Sequence, residues 1–160
     1  MKEEFLDLIK QHQGIIHKIC KLYRDSLENR QDLFQEIVYQ LWKSYPKFRQ
    51  ESGVTTWMYR ISLNTALASF RKQTTPIKYT DSVPDLVEEQ SSSNDGYEQL
   101  LIALKQLNEG ERAVISLYLE DLSYKEISEI VGISESNVGV RLNRIKNKLK
   151  QLVKEHSYGS

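Results

Sequence analysis

Two stretches of the chain gather side chains suited to chemistry, and in both the chemistry is contact with nucleic acid rather than the making of bonds. Residues 136–154 carry Arg141, Arg144, Lys146, Lys148, Lys150 and Lys154 without a single acid, interleaved with Ser136, Asn137 and Asn143. Cations of this kind neutralise phosphates, while amides and guanidinium groups pair with base edges. The second stretch starts at Tyr45-Pro46-Lys47-Phe48-Arg49 and continues through Thr55, Thr56, Tyr59, Arg60, Asn64, Arg71 and Lys72. Aromatic faces stack on unpaired bases and nearby cations hold the backbone, so this mixture suits a single strand. Each stretch has a plainer reading: charged residues often only solvate a helix face, and Trp42, Phe48 and Trp57 are better read as core than as a stacking platform. Bond-making constellations are missing from the sequence. There is no glycine-rich phosphate loop, no G-x-S-x-G and no paired His/Cys ligand set; His12 and His17 are five apart, off the ligand spacing of four, and Cys20 lies on an apolar stripe. The expectation is a binding protein with no catalytic, cofactor or metal residues.

The elements that must position these groups follow from composition and pattern. The chain has 160 residues, 22 Lys/Arg and 22 Asp/Glu, with 39% hydrophobic and 28% charged residues, an ordinary globular mixture. Zero net charge conceals a pattern: residues 1–80 carry a surplus of +5, residues 81–98 carry −6, and residues 99–160 carry +1. No apolar run is long enough for a membrane span, and MKEEFLDLIK lacks a secretory apolar core. One cysteine excludes an internal disulfide. A cytoplasmic protein is the expectation. The segment from Thr74 to Gly96, with two prolines, three consecutive serines and Asn-Asp-Gly, reads as a flexible acidic linker between domains at 1–73 and 97–156.

In the first domain Phe5, Leu8, Ile9, Ile15, Ile16, Ile19 and Leu22 recur at helical spacing, with Gly14 marking either a break or simply a weak point. A second helix is expected after Asn29, with Asp32 satisfying its first-turn amides, and a third from Thr55 to the Arg71-Lys72 pair. This predicts three or four packed helices and no strands. In the second domain Asn108 and Glu111, then Ser123 and Glu126, form two capping-box patterns, each opening a helix. Gly132-Ile133 makes a turn, Ser134 caps the next helix, and Val138, Leu142, Ile145, Leu149 and Leu152 form its inward stripe. A short helix, a glycine turn, a cap and a longer basic helix make a helix-turn-helix. Its second helix would enter the major groove with Ser136, Asn137, Val140, Arg141, Asn143, Arg144, Lys146 and Lys148 outward. Gly139 lies inside that helix, where glycine costs about 1 kcal/mol of propensity; close approach to DNA and no role at all both remain open.

Together the two domains resemble the extracytoplasmic-function subfamily of bacterial sigma factors. The resemblance rests on Asp32-Leu33-Phe34-Gln35-Glu36-Ile37 followed by Leu41-Trp42, on the stretch from Gly53 to Asn64 with its Thr56-Trp57-Met58 core, and on Leu122 to Arg144. It implies an all-α fold, a region 2-like bundle linked to a region 4-like helix-turn-helix. It further implies that Asp32, Leu33, Gln35 and Glu36 meet the clamp helices of core RNA polymerase. Arg49, Gly53, Thr56, Trp57, Arg60 and Asn64 would handle the −10 element, including a flipped base at the loop from Arg49 to Gly53. The residues from Ser136 to Lys148 named above would meet the −35 duplex, although many relatives place a basic residue where Gly139 stands. The implied partners are core polymerase, promoter DNA and, as is common in the family, an anti-sigma factor. The implied function is a promoter-specific transcription initiation factor without catalysis of its own. The alternative class is a stand-alone helix-turn-helix regulator whose first domain senses a partner; it predicts tight duplex binding by the free chain.

Overall fold

In the computed structural model, residues 2–48, 53–73 and 95–159 are described, and among them every regular element is helical. They form α1 (Lys2–Tyr23), α2 (Leu27–Ser44) running into a 3-10 turn (Tyr45–Lys47), α3 (Val54–Gln73), α4 (Asp95–Lys105), α5 (Glu109–Leu119), α6 (Tyr124–Val131) and α7 (Glu135–Gly159). The all-α expectation holds. The chain divides into two compact units, one built on α1–α3 and the other on α4–α7. Residues 74–94, most of the expected linker, lie outside the described residues.

In the first unit α1, α2 and α3 pack against one another pairwise. Their apolar stripes meet at Phe5, Ile9, Ile16 and Ile19 from α1, Leu33, Ile37 and Leu41 from α2, and Met58, Leu63 and Ala66 from α3, all buried. Of the two readings of Gly14, the break is not seen there: the backbone of α1 leaves helical geometry at His12, two residues earlier. Helix α2 also starts earlier than expected. Ser26, in extended conformation, accepts from the Asn29 amide at 3.1 Å and caps it, so Asp32 is left on the exposed face a turn further on. Cys20 is core, and burial pushes its thiol up to about 11. Of the three aromatics read as core, only Trp57 fits fully. Phe48 stacks on it at 4.5 Å and is half-buried, while Trp42 is 41% exposed and meets Phe5 edge-on at 5.0 Å. Leu41 takes the inward position, and one residue of helical rotation turns Trp42 to the rim.

The second unit is organised by caps. Asn108 Oδ1 accepts from the Glu111 amide at 2.8 Å while Glu111 Oε1 accepts from the Asn108 amide at 3.1 Å. The same reciprocal pair joins Ser123 and Glu126 at 3.1 and 2.8 Å. Gly132 adopts φ +79 and its N–H donates to the Ser128 carbonyl at 2.8 Å, a left-handed C-cap that glycine takes without steric cost. Ser134 then caps α7 by accepting from the Asn137 amide at 3.2 Å. Helix α4 was not expected, since its first residues complete the acidic segment. Its end is finished by Arg112, which is 8% exposed and donates to the carbonyls of Leu107 at 3.3 Å and Lys105 at 3.2 Å. Helix α7 runs to Gly159, three residues past the expected domain end.

Candidate nucleic-acid and partner surfaces

The outward face of α7 is set by what its inward face buries. Val138, Leu142 and Ile145 are at most 2% exposed against α5 and α6. At 3.6 residues per turn, the opposite side must then carry Ser136, Asn137, Val140, Asn143 and Arg144. All five are exposed, as is Arg141. Val140 stands at the middle of this set: the other four lie three or four positions from it in either direction, so they surround it on the helix surface. It is 50% exposed, an uncovered aliphatic group ringed by an alcohol, two amides and a guanidinium. Such a face offers a groove both base-edge partners and an apolar contact.

The flanks of α7 depart from expectation. Lys146 and Lys148 were expected to be phosphate ligands, yet both have partners inside the unit. The Lys146 ammonium donates to Tyr118 Oη at 3.0 Å and lies 4.2 Å from the centre of that ring, and this hydrogen bond holds its pKa above the ordinary lysine value. Lys148 pairs with Glu111 Oε1 at 3.1 Å. The same carboxylate completes the Asn108 cap, so one acid ties α7 to the start of α5. Gly139 is half-buried, on the flank shared with Lys146 seven residues on. A Cβ at Gly139 would meet the ring of Tyr124 at 3.4 Å. Tyr124 is the first residue of α6 and is 41% exposed. Sequence reasoning did not single it out, because its approach to residue 139 comes from the packing of α6 on α7.

In the first unit a groove of about 630 Å³ runs between α2 and α3. Asp32, Glu36 and Gln40 line one wall, Asn64, Thr65 and Ser69 the other, and Arg24 also borders it. Glu36 accepts from Gln40 Nε2 at 3.0 Å, which fixes the carboxylate along the wall. Arg24 is 5% exposed, with a guanidinium nitrogen 2.7 Å from the Tyr23 carbonyl, and burial lowers its pKa. The groove therefore brings together residues expected on two separate surfaces, the polymerase set (Asp32, Glu36) and the −10 set (Asn64). Two carboxylates along one wall disfavour a phosphate there and favour cationic or amide partners.

Other expected site residues scatter. Gln35 is exposed on α2, but Leu33 is 3% exposed and belongs to the core. Thr56 and Trp57, at 6% and 5% exposure, are buried as well, so they shape the surface around Gly53 and Arg60 instead of forming it. Gly53 is exposed and Arg60 half-buried, whereas Arg49 lies outside the described residues.

Comparison with known proteins separates the same two parts of the chain. Residues 8–75 match the family profile for Sigma-70 region 2, and residues 97–149 match that for Sigma-70, region 4. The RNA polymerase sigma factor SigZ of Bacillus subtilis is 30% identical over 148 residues, which are 86% of this chain and 82% of that protein. The ECF RNA polymerase sigma factor SigM of Mycobacterium tuberculosis is 23% identical, over 93% of this chain and 76% of its own. Among solved structures, the sigma factor RpoE of Bartonella quintana, crystallised with the anti-sigma factor NepR, shares the fold with a TM-score of 0.72 at 23% identity, covering 96% of both chains.

Proposed function

The chain belongs to the RNA polymerase sigma factors of the sigma-70 family, in their extracytoplasmic-function group, and from that premise we propose how its two units share the work of starting transcription at a promoter. The observation that carries the proposal is the uncovered set Ser136, Asn137, Val140, Asn143 and Arg144 on the second helix of a helix-turn-helix. This helix docks in the major groove of the −35 duplex, with Asn143 and Arg144 toward base edges and Arg141 toward a phosphate. Ser136 and Asn137, in the first turn of α7, are placed beside the helix amino terminus, where amides favour an anionic backbone.

The first unit binds core RNA polymerase through Asp32, Gln35 and Glu36, whose two carboxylates suit a cationic partner surface and whose Gln35 amide suits a polar one. It holds the unpaired −10 strand with Arg49, Gly53 and Arg60, and offers the Asn64 amide to a base edge and not to a phosphate. Extruding a base from the stack costs a few kcal/mol, so a surface prepared for it lowers the barrier to opening. Buried Thr56 and Trp57 position this surface from beneath, and Leu33 does the same for the α2 face. Sigma factors are not enzymes, and this chain acts by binding alone. No helix among the described residues is long and apolar enough to cross a membrane, and a cytoplasmic place beside the polymerase suits the role. An anti-sigma partner, such as RpoE has in NepR, is a further expectation.

The test is reconstitution. Core polymerase, the purified chain and a promoter library are combined, and run-off transcripts are sequenced. A discrete class of promoters that depends on the added chain is the expected result. Tight sequence-specific duplex binding by the free chain, with no dependent transcript, would favour the stand-alone regulator instead.

A further inference from the structure

Aromatic rings form a chain across one end of the first unit, where α1 begins, α2 finishes and α3 begins. Phe5 meets Trp42 edge-on at 5.0 Å and Tyr45 at 5.3 Å. Tyr45 in turn meets Trp57 at 6.2 Å, and Phe48 stacks on Trp57 at 4.5 Å with the planes 17° apart. All of these separations fall where ring pairs attract. The rings are placed by their positions in the elements. Phe5 and Trp57 are each the fourth residue of their helix, and Trp42 lies in the last turn of α2. Tyr45 and Phe48 bracket the 3-10 turn, which the Phe48 amide closes by donating to the Tyr45 carbonyl at 3.0 Å. In such a turn residues three apart eclipse, so both rings come to one side, and Trp57 meets both there.

The two ends of this chain belong to different tasks. Trp42 is exposed and lies seven residues from Gln35, hence on the same face of α2. Trp57 is buried, its amide donates to the Gly53 carbonyl at 3.1 Å, and Arg60 follows it by one helical turn. Phe48 directly precedes Arg49. Between these ends stands Tyr45, half-buried, with Phe5 on one side and Trp57 on the other. The end of α2 and the start of α3 therefore cannot shift relative to each other without changing its ring contacts.

We propose that Tyr45 is a positioning residue whose ring, held between Phe5 and Trp57, makes polymerase docking on α2 and strand holding at the start of α3 depend on one another. This rests on the reading of those two surfaces given above. Tyr45 touches neither partner; it acts through Trp57, which shapes the surface around Gly53 and Arg60. The ring and not the hydroxyl carries the effect, because the contacts to Phe5 and Trp57 are ring contacts. Reciprocity gives the proposal a measurable form: whatever factor the strand adds to polymerase affinity, polymerase adds to strand affinity.

The experiment titrates the labelled full chain with core polymerase, followed by fluorescence anisotropy, with and without a saturating single-stranded oligonucleotide that carries the selected −10 sequence. For the unaltered chain the oligonucleotide should tighten polymerase binding about tenfold, a usual size for coupling between sites. Tyr45→Leu should cut that gain to less than about threefold, while binding without the oligonucleotide changes by less than about twofold. Tyr45→Phe, which keeps the ring, should retain the full gain. Phe5→Leu removes a ring contact of Tyr45 from a different helix and should reproduce Tyr45→Leu, with thermal melting showing which variants remain folded. The proposal is overturned if the unaltered chain shows no gain, if the gain survives in a folded leucine variant, or if Tyr45→Phe loses it. It is equally overturned if the leucine variants weaken binding by the same factor with and without the oligonucleotide, as a merely structural role would. Failure of this inference leaves polymerase binding intact, whereas failure of the sigma-factor reading abolishes it in the unaltered chain.

Discussion

The two units bury apolar stripes in the same way but finish their helices differently, and the difference matches what each presents to a partner. In the second unit reciprocal capping boxes start α5 and α6, a left-handed glycine ends α6, and a serine opens α7. Each of these caps lies within four residues of its partner, so the start of α7 is set by local bonds. In the first unit Ser26 caps α2 with a single bond, and α1 bends at His12. Its candidate surface is a groove whose two walls come from different helices. One unit presents a helix whose start is set by local caps. The other has a concave surface assembled by tertiary packing, as an irregular partner requires.

This contrast can be broken most forcefully in the cores. Leu41 and Leu142 are both fully buried, so Leu41→Ala and Leu142→Ala should each cost about 2–5 kcal/mol. Calorimetry should show Leu142→Ala lowering the melting of the second unit and Leu41→Ala that of the first; an equal shift of one shared transition would deny that the units are separate. Arg144→Ala comes next. A guanidinium on a base edge contributes about 1–3 kcal/mol of discrimination, so preference at one −35 base pair should relax while other positions hold. A uniform loss across sequences would reassign Arg144 to a phosphate. The caps should differ by less. Ser123→Ala and Ser26→Ala should each cost about 1 kcal/mol, since each side chain accepts one amide hydrogen bond, and only the second unit has a return bond, from the Ser123 amide to Glu126, left to lose. Urea titration would measure both.

The smallest effect concerns salt. Arg141→Ala should reduce the slope of log affinity against log salt by about one. Lys148→Ala should reduce it by clearly less, since Glu111 already neutralises that cation. Glu111→Gln, which keeps the cap to Asn108, should steepen it by releasing Lys148 to a phosphate. Identical slopes for Arg141→Ala and Lys148→Ala would mean that the ion pair opens on DNA.

What was legible in the sequence follows the same division. The caps at Asn108, Ser123 and Ser134, the turn at Gly132 and the stripe through Val138, Leu142 and Ile145 were readable because each depends on residues close along the chain. The pairing of Lys148 with Glu111 spans 37 residues, and that of Lys146 with Tyr118 spans 28; no local pattern announces either. Asp32 and Asn64 share a groove for the same tertiary reason. Trp42 misled because apolar residues at helical spacing mark the centre of a stripe better than its edge, and Trp42 lies at the edge. Helix α4 was hidden by an acidic beginning that reads as connector.

The central claim is that the second unit acts on closed duplex and the first on an opened strand. It is tested most directly by comparing holoenzymes carrying Arg141→Ala/Arg144→Ala or Arg60→Ala/Asn64→Ala on one selected promoter, with 2-aminopurine fluorescence reporting opening at −10 and footprinting reporting −35 occupancy. The account predicts that the first variant loses −35 protection. The second should keep that protection, fail to open the duplex, and be rescued by a promoter with a preformed −10 bubble. Rescue of the first variant by the bubble with no rescue of the second, or loss of −35 protection in both, would contradict it.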